Sequence, residues 1–328
     1  MKTFKAIVTE EKGGEYISSV KERNIDDLPE GEVLINVKYS SLNFKDALSS
    51  SGNKGVTRNY PHTPGVDAAG VVEHSSDPKF VQGEEVIVTG YDLGMNTSGG
   101  FAEYIRVPSG WVVEKPAGIS LKEAMIYGTA GFTSALSVDK LLKHGVTPDK
   151  GKVLVTGATG GVGSVAVAML AKLGFSVTGV TGKADKADFL KSLGADEVIS
   201  REDAQDTSKR PMLKGVYAGV VDTVGGDILA TALKSTMYGG AVTTCGLTQS
   251  PELNTTVFPF ILRGISLLGV DSVELPINVK ASAWRRVATD LNVSEIGKLA
   301  HEITLNELPA YFEKILAGKV SGRIVVKI

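Results

Sequence analysis

The chain has 328 residues, 42% hydrophobic and 22% charged, so it is a globular protein long enough for about two domains. Its 35 basic and 37 acidic residues give a formal net charge of −2, and without a long basic block a nucleic-acid partner is not expected. The single cysteine, Cys245, excludes an internal disulfide framework and a cysteine-rich zinc site.

Short β-type runs fill the first third of the chain, up to about Lys115, where helical periodicity is nearly absent. These runs cover residues 4–8, 32–42, 68–74, 84–90 and 100–107. Glycines and prolines separate them, as in Pro64-Gly65 and Gly99-Gly100. Strands that turn so often are predicted to close into a small β-barrel.

Beyond Pro116 the pattern becomes helical and then alternates. Ser120 and Glu123 form a capping-box pattern at the start of the first predicted helix. Apolar runs then alternate with helix-like stretches, and they cover residues 152–157, 176–182, 197–200, 218–224, 241–247 and 265–270. This alternation predicts an α/β fold with a doubly wound parallel sheet of about six strands. The chain ends with a helix and a strand, 323–328, that fits the sheet of either domain.

A cluster of glycines follows the first strand of the alternating series, and it accounts for part of the 38 glycines in the chain. In the sequence VLVTGATGGVG, residues 153–163, the dinucleotide-binding spacing G-x-G-x-x-G falls on Ala158, Gly160 and Gly163. The alternative is a tight turn without a ligand, but the position as first strand of six favours a dinucleotide. The predicted contacts are Thr159, Gly160, Gly161, Val162 and Gly163.

The end of the second strand of this series distinguishes NADPH from NADH. It carries Thr181-Gly182-Lys183, where an NAD enzyme normally presents an acidic residue to the ribose. A hydroxyl and an ammonium bind a 2′-phosphate, and Arg201 follows the third strand, so NADP(H) is the favoured cofactor. Against this stands Asp185, which we expect to cap the next helix. The alternative for Lys183 and Arg201 is that they are solvated surface charges.

The histidines give no sign of a metal site. His62, His74, His144 and His301 show neither the spacing of metal ligands nor a nearby cysteine, so no metal is predicted. A serine hydrolase is not indicated either, because no G-x-S-x-G motif occurs.

Six segments in order carry a family likeness that extends over essentially the whole chain. They are SLNFKDAL at 41–48, PGVDAAG at 64–70, GTAGFTSAL at 128–136, VTGATGGVG at 155–163 and the final VSGRIVVKI, together with the barrel-like N-terminal pattern. They resemble the zinc-independent medium-chain dehydrogenase/reductases, in the quinone oxidoreductase and acryloyl-CoA reductase branch. The resemblance implies a GroES-like β-barrel catalytic domain, residues 1–122 and 290–328, and a Rossmann NADP-binding domain with a six-stranded sheet, residues 123–289.

The resemblance also implies the reaction. Zinc alcohol dehydrogenases of this superfamily have a cysteine near the position of Asn43 and a histidine where this chain has Val66. Without a Lewis acid, hydride transfer to an already activated acceptor is the more plausible chemistry. The expected acceptor is an α,β-unsaturated thioester such as acryloyl-CoA, or a quinone. The alternative is a non-catalytic NADPH-binding sensor or structural protein.

By the same comparison, Asn43 and Asp46 are the predicted catalytic residues. The Asn43 amide would donate a hydrogen bond to the developing oxyanion. Asp46 would orient Lys45, the cofactor ribose or a proton-carrying water. The alternative for both is capping of a short helix. Phe44 stands where many relatives have tyrosine, and it is expected to contact the cofactor by stacking.

Other contacts rest on the resemblance alone. Thr129 is expected near the nicotinamide carboxamide, and the further predicted cofactor contacts are Leu247, Ser272 and Arg323, the last also able to close an inter-domain cleft. Lys54 and Arg58 are candidates to meet the phosphates of a CoA substrate, or they are solvated loop charges.

The remaining expectations concern partners and compartment. The partner is a small-molecule acceptor, and the apolar strand 265–270 favours a homodimer through pairing of sheet edges. Neither a signal-peptide core near the start nor eighteen consecutive apolar residues occur, so no membrane partner is expected. Together with the single cysteine, this places the protein in the cytoplasm.

Overall fold

The computed structural model describes residues 2–328. Its strands, labelled in chain order, are β1 (Thr3–Lys12), β2 (Glu15–Asn24), β3 (Val33–Ser41), β4 (Asp67–Ser75), β5 (Glu85–Thr89), β6 (Tyr104–Val107), β7 (Val112–Glu114), β8 (Lys152–Val155), β9 (Val177–Thr181), β10 (Glu197–Ser200), β11 (Tyr217–Asp222), β12 (Thr236–Thr244), β13 (Ser266–Gly269), β14 (Ala300–Thr304) and β15 (Arg323–Lys327). Its α-helices are α1 (Phe44–Ser50), α2 (Leu121–Lys143), α3 (Gly161–Lys172), α4 (Ala187–Ser192), α5 (Gly226–Ser235), α6 (Phe258–Arg263), α7 (Ile277–Val287) and α8 (Leu308–Leu316).

Two compact units divide the chain. The antiparallel unit comprises Met1–Thr129, Ser272–Thr289 and Glu295–Ile328, and the parallel unit comprises Ala130–Asp271 and Asp290–Ser294. Within residues 2–328, no helix is long and apolar enough to cross a bilayer.

The parallel unit contains the predicted six-stranded sheet, and this prediction is confirmed. Its strand order is β10-β9-β8-β11-β12-β13, and every pair is parallel. All five residues of β9 are buried, as expected for a central strand that helices cover on both faces. The chain moves outward from β8 to β10 and then returns to place β11 on the other side of β8. The carboxyl ends of β8 and β11 therefore form the switch point where such sheets bind ligands.

Buried aliphatic side chains hold the helices on this sheet. Leu154, Val220 and Val242 project from adjacent strands into one cluster, and Ile228 and Leu233 of α5 pack against them. Each fully buried side chain of this size contributes about 1.5–3 kcal/mol relative to an exposed one. The helix after the glycine turn, α3, is buried from Gly163 to Leu170, so the turn that precedes it is anchored from its C-terminal side.

The antiparallel unit contains a seven-stranded sheet and a separate hairpin. The main path is β14-β15-β3-β4-β5-β7, and β6 also pairs with β3. β15 pairs with β14 in parallel and with β3 in antiparallel fashion, which decides the question that the sequence left open for the last strand. The hairpin of β1 and β2 is joined to the rest by the bridges Ala6↔Ala102 and Thr9↔His62.

Several elements were not predicted because their sequences lack a clear pattern. β2 is polar and only half-buried, and β7 has three residues. β14 and α7 also escaped notice, since exposed residues interrupt their apolar positions. In contrast, the capping box at the start of α2 is confirmed: Ser120 N donates to Glu123 Oε2 (2.8 Å) and Glu123 N donates to Ser120 Oγ (3.2 Å).

The boundaries between the two units differ from the predicted ones, which lie after residues 122 and 289. Residues 272–289 group with the antiparallel unit, where the buried Lys280 Nζ donates to the main-chain oxygens of Thr89 (2.6 Å) and Val273 (2.8 Å). Residues 290–294 group with the parallel unit, where Lys172 Nζ donates to the main-chain oxygen of Asp290 (3.1 Å). The hydrogen bonds of these two lysines connect each segment to its unit, and composition does not reveal them.

Candidate active site

A buried carboxylate organises a polar cluster in the antiparallel unit. Asp67 begins β4 and is fully buried. Its Oδ2 accepts hydrogen bonds from Ser41 Oγ (2.5 Å), Asn43 Nδ2 (2.7 Å) and Thr129 N (2.8 Å), and its Oδ1 accepts one from Thr129 Oγ1 (2.5 Å). Four donors around one carboxylate fix the orientation of Asn43 and Thr129 together.

Gly128 makes the space for this cluster. Its φ of +48° and ψ of −159° interrupt α2, in a backbone region that favours glycine. A Cβ at this position would lie 2.3 Å from Ser41 Oγ, 2.6 Å from Asp67 Oδ2 and 2.8 Å from Arg323 Nη2. A side chain here would therefore occupy the centre of the cluster, and the break in the helix directs Thr129 N toward Asp67.

Arg323 supplies the positive charge of the cluster. Its side chain is 3% exposed, and it donates from Nε to the main-chain oxygen of Ile126 (2.8 Å), from Nη2 to Ser41 Oγ (2.9 Å) and from Nη1 to the main-chain oxygen of Leu42 (3.4 Å). Burial lowers the pKa of Arg323, and the Asp67 and Asp46 carboxylates oppose that shift. These contacts lie within the antiparallel unit, so a direct contact of Arg323 with the cofactor stays a prediction.

Asn43 uses both amide hydrogens inside the cluster. Its Nδ2 donates to Asp67 Oδ2 and, at 3.2 Å, to the main-chain oxygen of Ser41. An amide nitrogen has two hydrogens, so donation to a substrate oxygen requires the longer of these bonds to break. The oxyanion-binding role of Asn43 stays a prediction with this structural condition attached.

Asp46 ties two backbone segments together. Its Oδ2 accepts from Asn43 N (2.7 Å) at the start of α1, and its Oδ1 accepts from Val66 N (2.9 Å). Burial raises the pKa of Asp46 to about 7. The negative charge of Asp67 adds to this increase, and the two backbone hydrogen bonds oppose it. The capping contact expected as the alternative is therefore present. Orientation of Lys45, a ribose or a water by Asp46 stays a prediction.

Side-chain hydrogen bonds join the two strands at the switch point of the parallel unit. Thr156 Oγ1 donates to Asp222 Oδ1 (2.7 Å) and accepts from Thr223 N (2.9 Å). Asp222 Oδ2 also accepts from Gly225 N (3.0 Å). Cys245 Sγ donates to the Asp222 main-chain oxygen (3.4 Å), and burial raises the thiol pKa to about 12.

The glycine turn fits the pyrophosphate of a dinucleotide. Gly160 precedes α3, and the N–H groups of residues 161–163 have no acceptor within the helix. A Cβ at Gly163 would lie 2.3 Å from the Gly157 main-chain oxygen and 2.7 Å from Ala158 Cα, so only glycine permits this close packing of helix and turn. Within residues 2–328 the buried Ser164 hydroxyl of the same first turn has no hydrogen-bond partner.

The end of β9 presents a cationic pocket next to this turn. Thr181 Oγ1 lies 3.1 Å from Thr159 Oγ1 and accepts from Lys183 N (3.0 Å). A Cβ at Gly182 would lie 2.6 Å from Arg201 Nε, so the guanidinium group lies directly against Gly182. Burial first, then the Lys186 charge, lowers the pKa of Lys183, and Arg201 adds to this effect. Cations that repel one another in this way are suited to a bound phosphate.

Asp185 does not cap a helix. The cap positions at Lys183 and Lys186 have no side-chain hydrogen bond, and Asp185 instead forms an ion pair with Lys186 (3.3 Å). The expectation of a cap at Asp185 was therefore wrong. The carboxylate is exposed and already paired with a lysine, which weakens it as an argument for NADH.

The remaining predicted contacts are scattered. Leu247 follows β12 and is 65% exposed, whereas Ser272 follows β13 and is nearly buried. Phe44 begins α1 with a ring that is 44% exposed. Arg58 is exposed, and the Lys54 ammonium lies 3.4 Å from Glu11 Oε2 and 4.6 Å from the centre of the Tyr60 ring. All of these stay predictions as ligand contacts.

Comparison with known proteins identifies the family. Residues 29–117 match the alcohol dehydrogenase GroES-like domain, and residues 161–289 match the zinc-binding dehydrogenase domain. The chain is 48% identical to a putative quinone oxidoreductase, YhfP of Bacillus subtilis, over 99% of both chains. The chain belongs to the medium-chain dehydrogenase/reductases. Within this family it is also 46% identical to a probable acrylyl-CoA reductase, AcuI of Escherichia coli, over 99% of this chain and all of the relative.

Solved structures of this medium-chain dehydrogenase/reductase branch agree closely with the fold. A crystal structure of E. coli YhdH with bound NADPH has a TM-score of 0.94 and 46% identity, and it covers 98% of this chain and 99% of its own. A crystal structure of B. subtilis YhfP with NAD bound has a TM-score of 0.98 and 47% identity over both complete chains. The predicted family, branch and fold class are therefore confirmed.

The second matched domain is named for zinc binding, which makes the metal-ligand positions of this chain relevant. Val66 stands where zinc enzymes of the family have a histidine, and its N–H group binds Asp46. In the described part of the chain, residues 2–328, no group of three or more His, Cys, Asp or Glu side chains is arranged to hold a metal ion. Zinc independence stays a prediction.

Proposed function

We propose that this chain is an NADPH-dependent reductase that transfers hydride, without zinc, to an α,β-unsaturated thioester such as acryloyl-CoA or to a quinone. The observation that supports it most directly is the pair of ligand features at one edge of the parallel sheet. The glycine turn at 157–163 leaves backbone N–H groups for a pyrophosphate, and the Gly182 strand end carries the Arg201 guanidinium for a 2′-phosphate. The names of the relatives supply the acceptor classes.

NADPH is favoured over NADH by charge. Lys183 and Arg201 lie next to Gly182, and Asp185, the carboxylate whose charge acts on Lys183, is exposed and paired with Lys186. A 2′-phosphate would form charge-assisted hydrogen bonds with these cations, whereas a 2′-hydroxyl offers them no opposite charge. The relative crystallised with NAD makes the comparison of the two cofactors a necessary experiment.

The antiparallel unit contributes orientation and charge. NADPH, when bound, supplies the hydride, and the acceptor oxygen becomes negative as the hydride adds to its electron-poor carbon. Asp67 holds Asn43 and Thr129 in one arrangement, and Arg323 compensates the buried negative charge. The Asn43 amide then stabilises the acceptor oxygen by exchanging its 3.2 Å bond to the Ser41 main-chain oxygen for one to the substrate.

Acceptor screening tests the proposal. NADPH oxidation is followed by absorbance with acryloyl-CoA, crotonyl-CoA, a simple enone and several quinones, and each assay is repeated with NADH. We expect reduction of at least one of these acceptors, with kcat/KM about tenfold or more higher for NADPH. Tight binding of NADPH without reduction of any acceptor would indicate a sensor or structural protein instead.

The proposal includes a homodimer. β13 lies at the edge of the six-stranded sheet, and the neighbouring α6 exposes Ile261 (68%) and Leu262 (59%) to solvent. An unpaired strand edge beside exposed aliphatic side chains is suited to twofold pairing with a second copy. The molar mass from light scattering distinguishes a dimer from a monomer of 34.5 kDa. Cytoplasmic location is likewise proposed, on the presence of one cysteine and on the cofactor.

A further inference from the structure

The loop that follows α1, residues 51–60, holds the backbone of Arg58 from both sides. Arg58 N donates to Asn96 Oδ1 (3.2 Å), and Asn96 Nδ2 donates in turn to Asp92 Oδ1 (2.9 Å). On the other side, Lys54 Nζ donates to the main-chain oxygen of Arg58 (3.4 Å). Side chains thus hold both polar backbone groups of one exposed residue, which is unusual for a surface loop.

Lys54 is itself held by aromatic rings. Its Nζ lies 4.6 Å from the centre of the Tyr60 ring, 5.5 Å from that of Tyr16 and 3.4 Å from Glu11 Oε2. The two tyrosine rings pack on each other with centres 4.8 Å apart. A Cβ at Gly52 would lie 2.0 Å from the Tyr16 ring, so this ring rests directly on the loop backbone. We call Tyr16, Lys54 and Tyr60 the aromatic clamp.

The clamp also connects the loop to α1. Tyr60 Oη donates to the main-chain oxygen of Ser49 (2.6 Å), and Ser49 Oγ lies 2.7 Å from Thr57 Oγ1, both buried. α1 begins directly after Asn43, the predicted oxyanion donor. The loop shape and the start of the candidate active-site helix are therefore parts of one hydrogen-bonded assembly.

The Arg58 side chain is the part of this assembly without an internal role. It is exposed, and within residues 2–328 its guanidinium group makes no hydrogen bond or ion pair. An arginine that is presented on an ordered backbone loses less conformational entropy when it binds an anion than one on a flexible loop. Its planar fork of donors is suited to phosphate.

We propose that Arg58 binds a phosphate group of the CoA carrier and that Lys54 is a positioning residue. Lys54 does not bind phosphate itself but acts through the aromatic clamp and the Arg58 main-chain oxygen. The inference deepens the proposed function, on which it rests, by assigning the specificity for a nucleotide-carried thioester. It also replaces the predicted phosphate contact of Lys54, because the ammonium is already surrounded by Tyr16, Tyr60 and Glu11.

A double-mutant cycle with two thioesters tests the inference. KM is measured for acryloyl-CoA and for acryloyl-pantetheine, which has the same acyl group and no phosphate. We expect Arg58→Ala to raise KM for acryloyl-CoA about tenfold, the loss of a charge-assisted hydrogen bond, and to leave KM for acryloyl-pantetheine within about twofold. Lys54→Met is expected to raise KM for acryloyl-CoA about fivefold and Lys54→Arg much less, because arginine keeps the cation on the rings.

The cycle separates positioning from direct contact. If Lys54 acts through Arg58, adding Lys54→Met to Arg58→Ala changes KM by no more than about twofold. If the KM increases of the two single variants multiply in the double variant, the positioning role is overturned. Unchanged KM in both single variants would overturn the whole inference. Lys79→Met is the matched control, since Lys79 is another exposed lysine over an aromatic ring, 5.3 Å from the centre of Phe80, and no change is expected.

Calorimetric titration with free CoA keeps the inference independent of turnover. We expect the dissociation constant of CoA to follow the same order in the four proteins as KM for acryloyl-CoA. Reduction of quinones without CoA binding would overturn the inference and leave the reductase function intact. CoA binding that Arg58→Ala weakens, without reduction of any acceptor, would support the inference and contradict the proposed function.

Discussion

The two units build their candidate sites in different ways. In the parallel unit, the turn at 157–163 and the strand end at 181–183 each consist of neighbours in the sequence. Their ligand-binding features come mainly from the glycine backbone. In the antiparallel unit, the Asp67 cluster joins side chains that are far apart in the sequence, and Ser41 and Arg323 are separated by 282 positions. A cofactor site made of backbone can be read as a motif, whereas a cluster of side chains depends on the complete fold.

The difference also concerns charge. The parallel unit places the Lys183 and Arg201 cations together at the end of β9, where burial, and then repulsion by neighbouring cations, lowers the pKa of Lys183. The antiparallel unit compensates its buried charges internally, with Asp67 and Arg323 on either side of the Gly128 backbone. We therefore expect substitutions in the first site to affect mainly binding and those in the second to affect mainly stability and catalysis.

The largest effect is expected for Asp67→Asn. The substitution leaves Arg323 buried with a weaker counter-charge and places an amide nitrogen among donors, which costs about 3–5 kcal/mol in the free energy of unfolding. Denaturant unfolding measures this loss, and kcat is expected to fall with KM for NADPH nearly unchanged. Asp27→Asn, at an exposed carboxylate after β2, is the control. Equal stability of Asp67→Asn and wild type would show that the cluster is not an energetic unit.

Gly163→Ala tests the backbone site. The added Cβ would lie 2.3 Å from the Gly157 main-chain oxygen, so the turn or α3 must shift, at a cost of about 2–3 kcal/mol, the upper part of the range for overpacking. We expect a lower melting temperature and a much weaker binding of NADPH in a fluorescence titration. Gly110→Ala is a suitable comparison, because nothing lies within 4 Å of its added Cβ. Unaltered NADPH binding would contradict the role of the glycine turn in binding the pyrophosphate.

Arg201→Ala is expected to act on cofactor preference alone. Removing an exposed phosphate ligand lowers kcat/KM for NADPH about tenfold and changes that for NADH less than about twofold. The melting temperature without cofactor should not change, since Arg201 is exposed. Parallel losses with both cofactors would mean that Arg201 supports the fold of the strand end and not the 2′-phosphate.

The smallest effect at low pH, and the one that changes with pH, is expected for Asp46→Asn. Burial raises the pKa of Asp46 to about 7, so the folded state holds this proton more tightly than the unfolded state. The resulting stabilisation is complete below pH ~4 and is lost as pH rises through about 7. The variant lacks this dependence and leaves one backbone donor with a poorer acceptor, which costs about 1 kcal/mol.

Unfolding of the wild type and Asp46→Asn at pH 5 and pH 8 measures this effect. The wild type should lose stability relative to Asp46→Asn at the higher pH. A wild type whose stability relative to the variant stays level or rises would show instead that the Asn43 and Val66 N–H groups keep Asp46 ionised.

Local patterns predicted most of the parallel unit. Helices separate strands β8 to β13 except between β10 and β11, and the glycine motif lies at the turn where the first strand ends. The half-buried strand β2 and the partly exposed helix α7 were missed, because their sequence patterns depend on contacts made elsewhere in the fold. The sequence does not predict the Asp67 cluster for the same reason, since none of its four donors lies within twenty residues of it.

One signal for the Asp67 cluster was present in the sequence. Gly128 interrupts an otherwise helical pattern, and such a glycine often marks a close approach. The pattern does not say which groups approach it, and these proved to be Ser41, Asp67 and Arg323.

The sequence by itself determined the family, the doubly wound sheet, the glycine turn and the cationic strand end, because each depends on residues that are adjacent or regularly spaced. Only the tertiary structure decided that β15 joins the antiparallel sheet, that Asp67 orients Asn43 and Thr129, and that Lys54 is held between two tyrosine rings. These features depend on contacts between residues distant in the chain. Such contacts form only when the backbone has folded, so no local pattern encodes them.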